Sequence, residues 1–186
     1  MTELLRLAGR GRLEGGRGLT WSLAEGSRGR RWRASVDERG GLVLAILVEL
    51  GLDGRMTRFE ATSAAGMLTA HPAADGRTLH GNIVSGRGVS PIELPWGPEH
   101  ELDMPAIPLL AAVIVHRRRL VPVGGSVDVP VVAIDLGFEL QPMRLALTRR
   151  SDVGWLLDVD GVARSIEIDA RGIPILADSE EWPLEE

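Results

Sequence analysis

At 186 residues, with 44% hydrophobic and 25% charged side chains, the chain fits one domain of ordinary size and leaves no room for extensive disorder. The sequence contains no Cys, which excludes disulfides, thiolate zinc sites and cysteine nucleophiles, and all 21 basic residues are Arg, so mechanisms that need a lysine ammonium are excluded as well. A net charge of -5 argues against a nucleic-acid partner, which would favour a positive face able to neutralise phosphates.

From Met1 to Leu13 the chain carries Glu3, Arg6, Arg10 and Arg12 and has no continuous apolar core, so it does not read as a secretory signal. No apolar run, Leu42 to Val48 included, approaches the roughly 20 residues of a spanning helix. A cytoplasmic address is the expectation. Gly9, Gly11, Gly15, Gly16 and Gly18 do not have the spacing of a dinucleotide-binding loop, and residues 1–18 read instead as a flexible N-terminal segment.

Next comes an arginine-rich stretch, Arg28, Arg30, Arg31 and Arg33, interleaved with Trp32. Guanidinium forks match phosphate or carboxylate, so this stretch is either an anionic-headgroup site or an exposed strand face. Leu42 to Leu50, apolar on both faces and flanked by glycines, reads as a central strand. It pairs through the Asp53-Gly54 turn with an alternating strand from Arg55 to Thr62. A second hairpin joins Met67–His71 to Arg77–Ser85 around Asp75-Gly76, with Pro72 at its mouth because proline cannot donate to a ladder. Within it, His80-Gly81-Asn82 places His80 and Asn82 on one face, and the glycine marks either a bulge or a close approach of a ligand to the backbone.

The stiff segment Leu94-Pro95-Trp96-Gly97-Pro98 suits a loop that could present the Trp96 ring at a pocket mouth. Glu99-His100-Glu101-x-Asp103 is the most polar cluster, able to act as acid and base or to hold a metal, or else a solvated loop. None of His71, His80, His100 and His116 stands at a spacing typical of a zinc site. The glycine-free stretch from Pro105 to Leu120 predicts one substantial helix, capped by Asp103, with Ile107, Leu110, Val113 and Ile114 on its apolar face and Arg117, Arg118 and Arg119 at its negative end. Its β-branched content also suits a strand from Ala111 to Val115. Trp155 to Ile168 is a hairpin about Asp160-Gly161, a pair suited to a type I′ turn, with Trp155 in the core. The acidic tail 178–186 carries Trp182, whose ring would dock on the body.

These elements predict a mainly β, single-domain fold: a curved antiparallel sheet, in the form of a β-roll or half-barrel, with one helix near 105–120. There is no G-x-S-x-G elbow, and no residue is assigned a catalytic or metal-ligating role or a cofactor. The Arg-rich strand with Trp32, Gly66-Met67-Leu68, the Asp75-Gly76 turn leading to Leu79-His80-Gly81-Asn82, and Asp169-Ala170-Arg171-Gly172 ahead of Trp182 follow an order that resembles the bacterial glycolipid-binding protein family. That resemblance implies a strand-rich roll around an apolar interior and a noncatalytic protein that binds an apolar or glycolipid-like molecule.

The expected ligand contacts are Trp32, Arg33, His80, Asn82, Trp96, His100 and Glu101 on the concave face. The alternatives are a hydrolase or metal-dependent enzyme whose His80, His100 and Glu101 converge in one pocket, and a homo-oligomeric scaffold with a flat exposed apolar patch.

Overall fold

The structure, a computed structural model, describes residues 5–184. The chain divides into two compact units that exchange segments. The first comprises the chain up to Pro98, Leu136–Phe138 and the stretch from Ala177 onward; the second comprises Glu99–Asp135 and Glu139–Leu176. Because the chain passes from one unit to the other four times, no single linker separates them, and none is legible in the composition.

Eight strands run consecutively through the first unit: β1 (Leu5–Arg12), β2 (Gly18–Gly26), β3 (Gly29–Glu38), β4 (Gly41–Leu50), β5 (Met56–Ser63), β6 (Gly66–Pro72), β7 (Thr78–Ser85) and β8 (Gly88–Pro95). The second unit contributes β9 (Glu101–Asp103), helix α1 (Pro108–Arg117), β10 (Ser126–Ile134), β11 (Leu140–Arg149), β12 (Gly154–Val159) and β13 (Val162–Glu167), after which β14 (Ala177–Pro183) returns to the first. The expected mainly β fold with one helix is observed, its strands shared between two open sheets of nine and five strands.

The nine-stranded sheet is an antiparallel meander with β14 added at the β1 edge. Alternation buries one face: Leu19, Trp21 and Leu23 of β2, Ala34 and Val36 of β3, and Leu44, Ile46 and Val48 of β4. The expected pairing of β4 with β5 and of β6 with β7 is present. A bulge where Leu50 pairs with Met56 skips Thr57, turning Met56 inward and Thr57 outward against the simple alternation. Residues 5–12, expected as part of a flexible segment, form β1 instead. Gly9 lies under the Trp21 indole, where a Cβ would stand 2.4 Å from a ring carbon, so this glycine answers to packing. Gly15 and Gly16 do form a turn, with φ of 81° and 82°. Of the acidic tail, the part through Pro183 belongs to β14, tied to β1 by an Arg10–Glu180 ion pair of 2.7 Å, with Trp182 only partly covered; 185–186 lie outside the described residues.

In the five-stranded sheet, β9 pairs parallel to β10, and α1 provides the crossover that a parallel pair requires. Pro108 starts α1, where its missing N–H costs nothing. The N-cap is Ile107 with no side-chain cap, so the expected Asp103 cap is not made; Asp103 is held in β9 instead. All seven residues from Leu109 to Val115 are buried, so the helix is covered well beyond the predicted stripe. Ala111, Ala112, Ile114 and Val115 share a core with Val129, Leu145, Trp155 and Leu157. At the β12–β13 turn, Asp160 and Gly161 have φ of 51° and 84°, as a type I′ hairpin demands.

A candidate ligand cleft on the nine-stranded sheet

Successive residues of a strand point to opposite faces, and this separates two of the expected contacts. Trp32 points into the core, fully buried, with its ring 5.6 Å from that of Trp21 in an edge-on arrangement. Its Nε1 is buried and has no hydrogen-bond partner among the described residues. Arg33 is exposed on the opposite face. Trp32 and Arg33 therefore do not line one site.

Register places Ala8, Ser22, Arg33, Leu47 and Glu60 side by side across β1 to β5. The neighbouring row on the same face holds Thr20, Ser35, Ala45 and Thr62. Together these rows line a cavity of about 520 Å³. On this face its apolar lining is Ala8, Ala45 and Leu47 and its polar lining four hydroxyls, Arg33 and Glu60; Trp21, Ala34 and Ile46 of the intervening positions also border it. Glu60 is engaged by Arg58, whose Nε donates at 3.0 Å. Arg33 has no side-chain partner among the described residues, so its guanidinium faces the cavity with its donors available.

Asn82 belongs to the same row as Arg33, reached through Glu60 and Thr69. Four strand spacings of about 4.8 Å put it about 19 Å away, too far to share the cavity. His80 points to the same face as Asn82, opposite His71 on β6 and Glu93 on β8. Gly81 between them is explained by the fold: a Cβ there would meet the Thr69 carbonyl oxygen at 1.9 Å, so the approaching backbone is the neighbouring strand. Trp96, expected at a pocket mouth, is 9% exposed, and its backbone N–H donates to the Arg77 carbonyl at 2.8 Å. The short Pro-rich segment folds its ring inward.

The Glu99 to Asp103 cluster is not a solvated loop at its centre. Glu101 and Asp103 lie in β9 at 3% and 1% exposure. Glu101 accepts a hydrogen bond from Arg117 and has Arg118 at 3.6 Å. Burial pushes its pKa up to about 7 despite both guanidiniums. Arg164 donates to both Asp103 oxygens at 2.6 and 2.5 Å; burial nevertheless raises this carboxyl as well. His100 has Nδ1 3.2 Å from the Glu99 carboxylate. His80 belongs to the first unit, and His100 and Glu101 to the second. Among the described residues no three His, Asp or Glu side chains are grouped so as to hold a metal ion. Sequence reading missed Thr20, Ser22, Ser35, Leu47, Glu60 and Thr62. They are unremarkable singly and become a group only through five-strand register.

No family model and no curated protein matches the chain. Among solved structures, the crystal structure of a DUF1089 family protein from Pseudomonas aeruginosa superposes with a TM-score of 0.54 at 20% identity, over 91% of this chain and 87% of that one. The two share a fold. That likeness covers nearly the whole chain, and at this identity it speaks to architecture alone. As to membranes, no helix among the described residues is long and apolar enough to cross one.

Proposed function

We propose that the chain is a noncatalytic binding protein whose ligand joins a short apolar portion to a hydroxyl-bearing, glycolipid-like head. The observation that carries this reading is the partnerless Arg33, set among the hydroxyls of Ser22, Ser35 and Thr62 and beside the apolar Ala45 and Leu47 in one cavity. Hydroxyls can donate and accept, a guanidinium donates in a fixed fork, and the apolar patch takes an alkyl segment. The lining contains no histidine and no serine–histidine pair that would activate a nucleophile.

Calorimetric titration with octyl glucoside below its micellar concentration tests the reading. Saturable binding is expected, weakened at least tenfold by Leu47→Arg and by Arg33→Ala. No saturable binding, or binding indifferent to both substitutions, overturns it.

Self-association is a second reading, favoured by one observation. Met67, Val84 and Val89 pair in register across β6, β7 and β8 and are 44%, 39% and 66% exposed, an apolar stripe at the sheet edge. Sedimentation should then detect a dimer that Val84→Glu disperses; a monomer at high concentration removes this reading.

A further inference from the structure

A second cavity, of about 420 Å³, opens on the nine-stranded sheet where the β2–β3 turn closes. Gly26 pairs with Gly29, leaving Ser27 and Arg28 as the turn. Gly29 has φ of +114°, and a Cβ there would meet the Leu50 carbonyl oxygen at 2.0 Å, so only glycine lets the turn close against β4. The cavity is lined by Arg6, Arg28, Arg30 and Arg31 together with Glu25 and Glu49.

The two carboxylates are already used. Glu25 accepts from Nε and an Nη of Arg30 at 3.0 and 2.5 Å, and Glu49 accepts from Nε of Arg31 at 2.8 Å. These pairs fix two guanidiniums in place. Arg6 and Arg28 have no side-chain partner among the described residues. The Glu25–Arg30 pair is neutral in itself and in phase with Trp32, so Arg6, Arg28 and Arg31 against Glu49 leave a local surplus of two positive charges in a chain whose net charge is -5. The surplus matches a dianion.

Arg6, Ala24 and Arg31 each stand two residues along their strands from Ala8, Ser22 and Arg33, on the same face. Two residues of strand span about 7 Å, so the two cavities are neighbours within the reach of one small molecule.

We infer that the second cavity binds a phosphate monoester group, carried by the same ligand whose hydroxylated part occupies the Arg33 cavity; the shared-ligand part of this inference rests on the reading above. A phosphate monoester is dianionic at neutral pH and offers three acceptor oxygens to forked donors, whereas a carboxylate or sulfate ester brings a single charge. The phosphate comes from a phosphorylated sugar-like head or from free phosphate, and the probes separate these sources.

The full chain is titrated with glucose 6-phosphate, glucose, inorganic phosphate and octyl glucoside, alongside an Arg6→Ala/Arg28→Ala double variant and Arg33→Ala. Glucose 6-phosphate is expected to bind at least tenfold tighter than glucose and tighter than inorganic phosphate. The double variant should abolish that preference while changing octyl glucoside binding less than twofold. The preference should also shrink below the second phosphate ionisation near pH about 6. Undiminished binding of glucose 6-phosphate to the double variant overturns the anion site. Inorganic phosphate binding that the double variant abolishes, without any binding of octyl glucoside, upholds the anion site and overturns the Arg33 reading. Equal affinity for inorganic phosphate and glucose 6-phosphate identifies free phosphate as the occupant and overturns the shared ligand.

Discussion

The two units use charge in opposite ways. On the open face of the nine-stranded sheet Glu49 and Glu60 hold Arg31 and Arg58, while Arg6, Arg28 and Arg33 have no side-chain partner among the described residues. In the five-stranded unit Glu101 and Asp103 lie almost wholly buried in a three-residue strand, each answered by guanidinium. An exposed ion pair is worth little to stability, whereas a buried carboxylate left without its partner is costly. The open face can therefore give up side chains to ligand recognition, and β9 cannot.

The largest expected effect sits in β9. Arg164→Ala strands the Asp103 carboxyl and should cost about 3–5 kcal/mol in urea unfolding at neutral pH, against about 0.5 kcal/mol or less for Arg33→Ala. Equal losses would erase the contrast between the units.

A somewhat smaller effect concerns pH. Because burial raises Glu101 to about 7 from an ordinary 4.5, the folded chain holds a proton there that the unfolded chain has released. The resulting stability is fully present below the unfolded value and is lost as pH rises through the folded one, a swing of roughly 3 kcal/mol. Urea midpoints should therefore fall between pH 4.5 and 7. Glu101→Gln should flatten that fall, leaving the Asp103 contribution, which has the same sign. An unchanged slope would mean that Glu101 does not titrate in this window.

The smallest effect tests the buried polar group of the other unit. Trp32→Phe loses ring volume, but it also removes an indole N–H buried without an acceptor, so the net change should stay within about 1 kcal/mol. A loss of several kcal/mol would show that the indole nitrogen is satisfied in solution.

Much of the fold was legible because its signals are local. The Asp160-Gly161 hairpin, the β4–β5 and β6–β7 pairs and the existence of a helix within 105–120 follow from turn chemistry, period and the absence of glycine, although the helix is shorter than that stretch, Pro108–Arg117. β1 and β14 were not legible, since Gly9 is demanded by the Trp21 ring lying over it and β14 gains its ladder only from β1. The candidate site was legible only in Arg33. Trp32 and Arg33 are neighbours in sequence, and adjacency in a strand guarantees opposite faces. Trp96, His100 and Glu101 have the chemical type of contact residues, but the fold buries Trp96, sets His100 beside Glu99 and pairs Glu101 with Arg117.

By itself the sequence determined the strand-rich class, the tight turns, the lone α-helix among the described residues, and a chemistry without thiols or lysines, because each depends on residues close together in the chain or on composition alone. Tertiary structure decided which residues share a face across five strands, which carboxylates are buried under arginine, and where unpaired guanidiniums gather. Those outcomes depend on register and burial, which are set by partners tens of residues away.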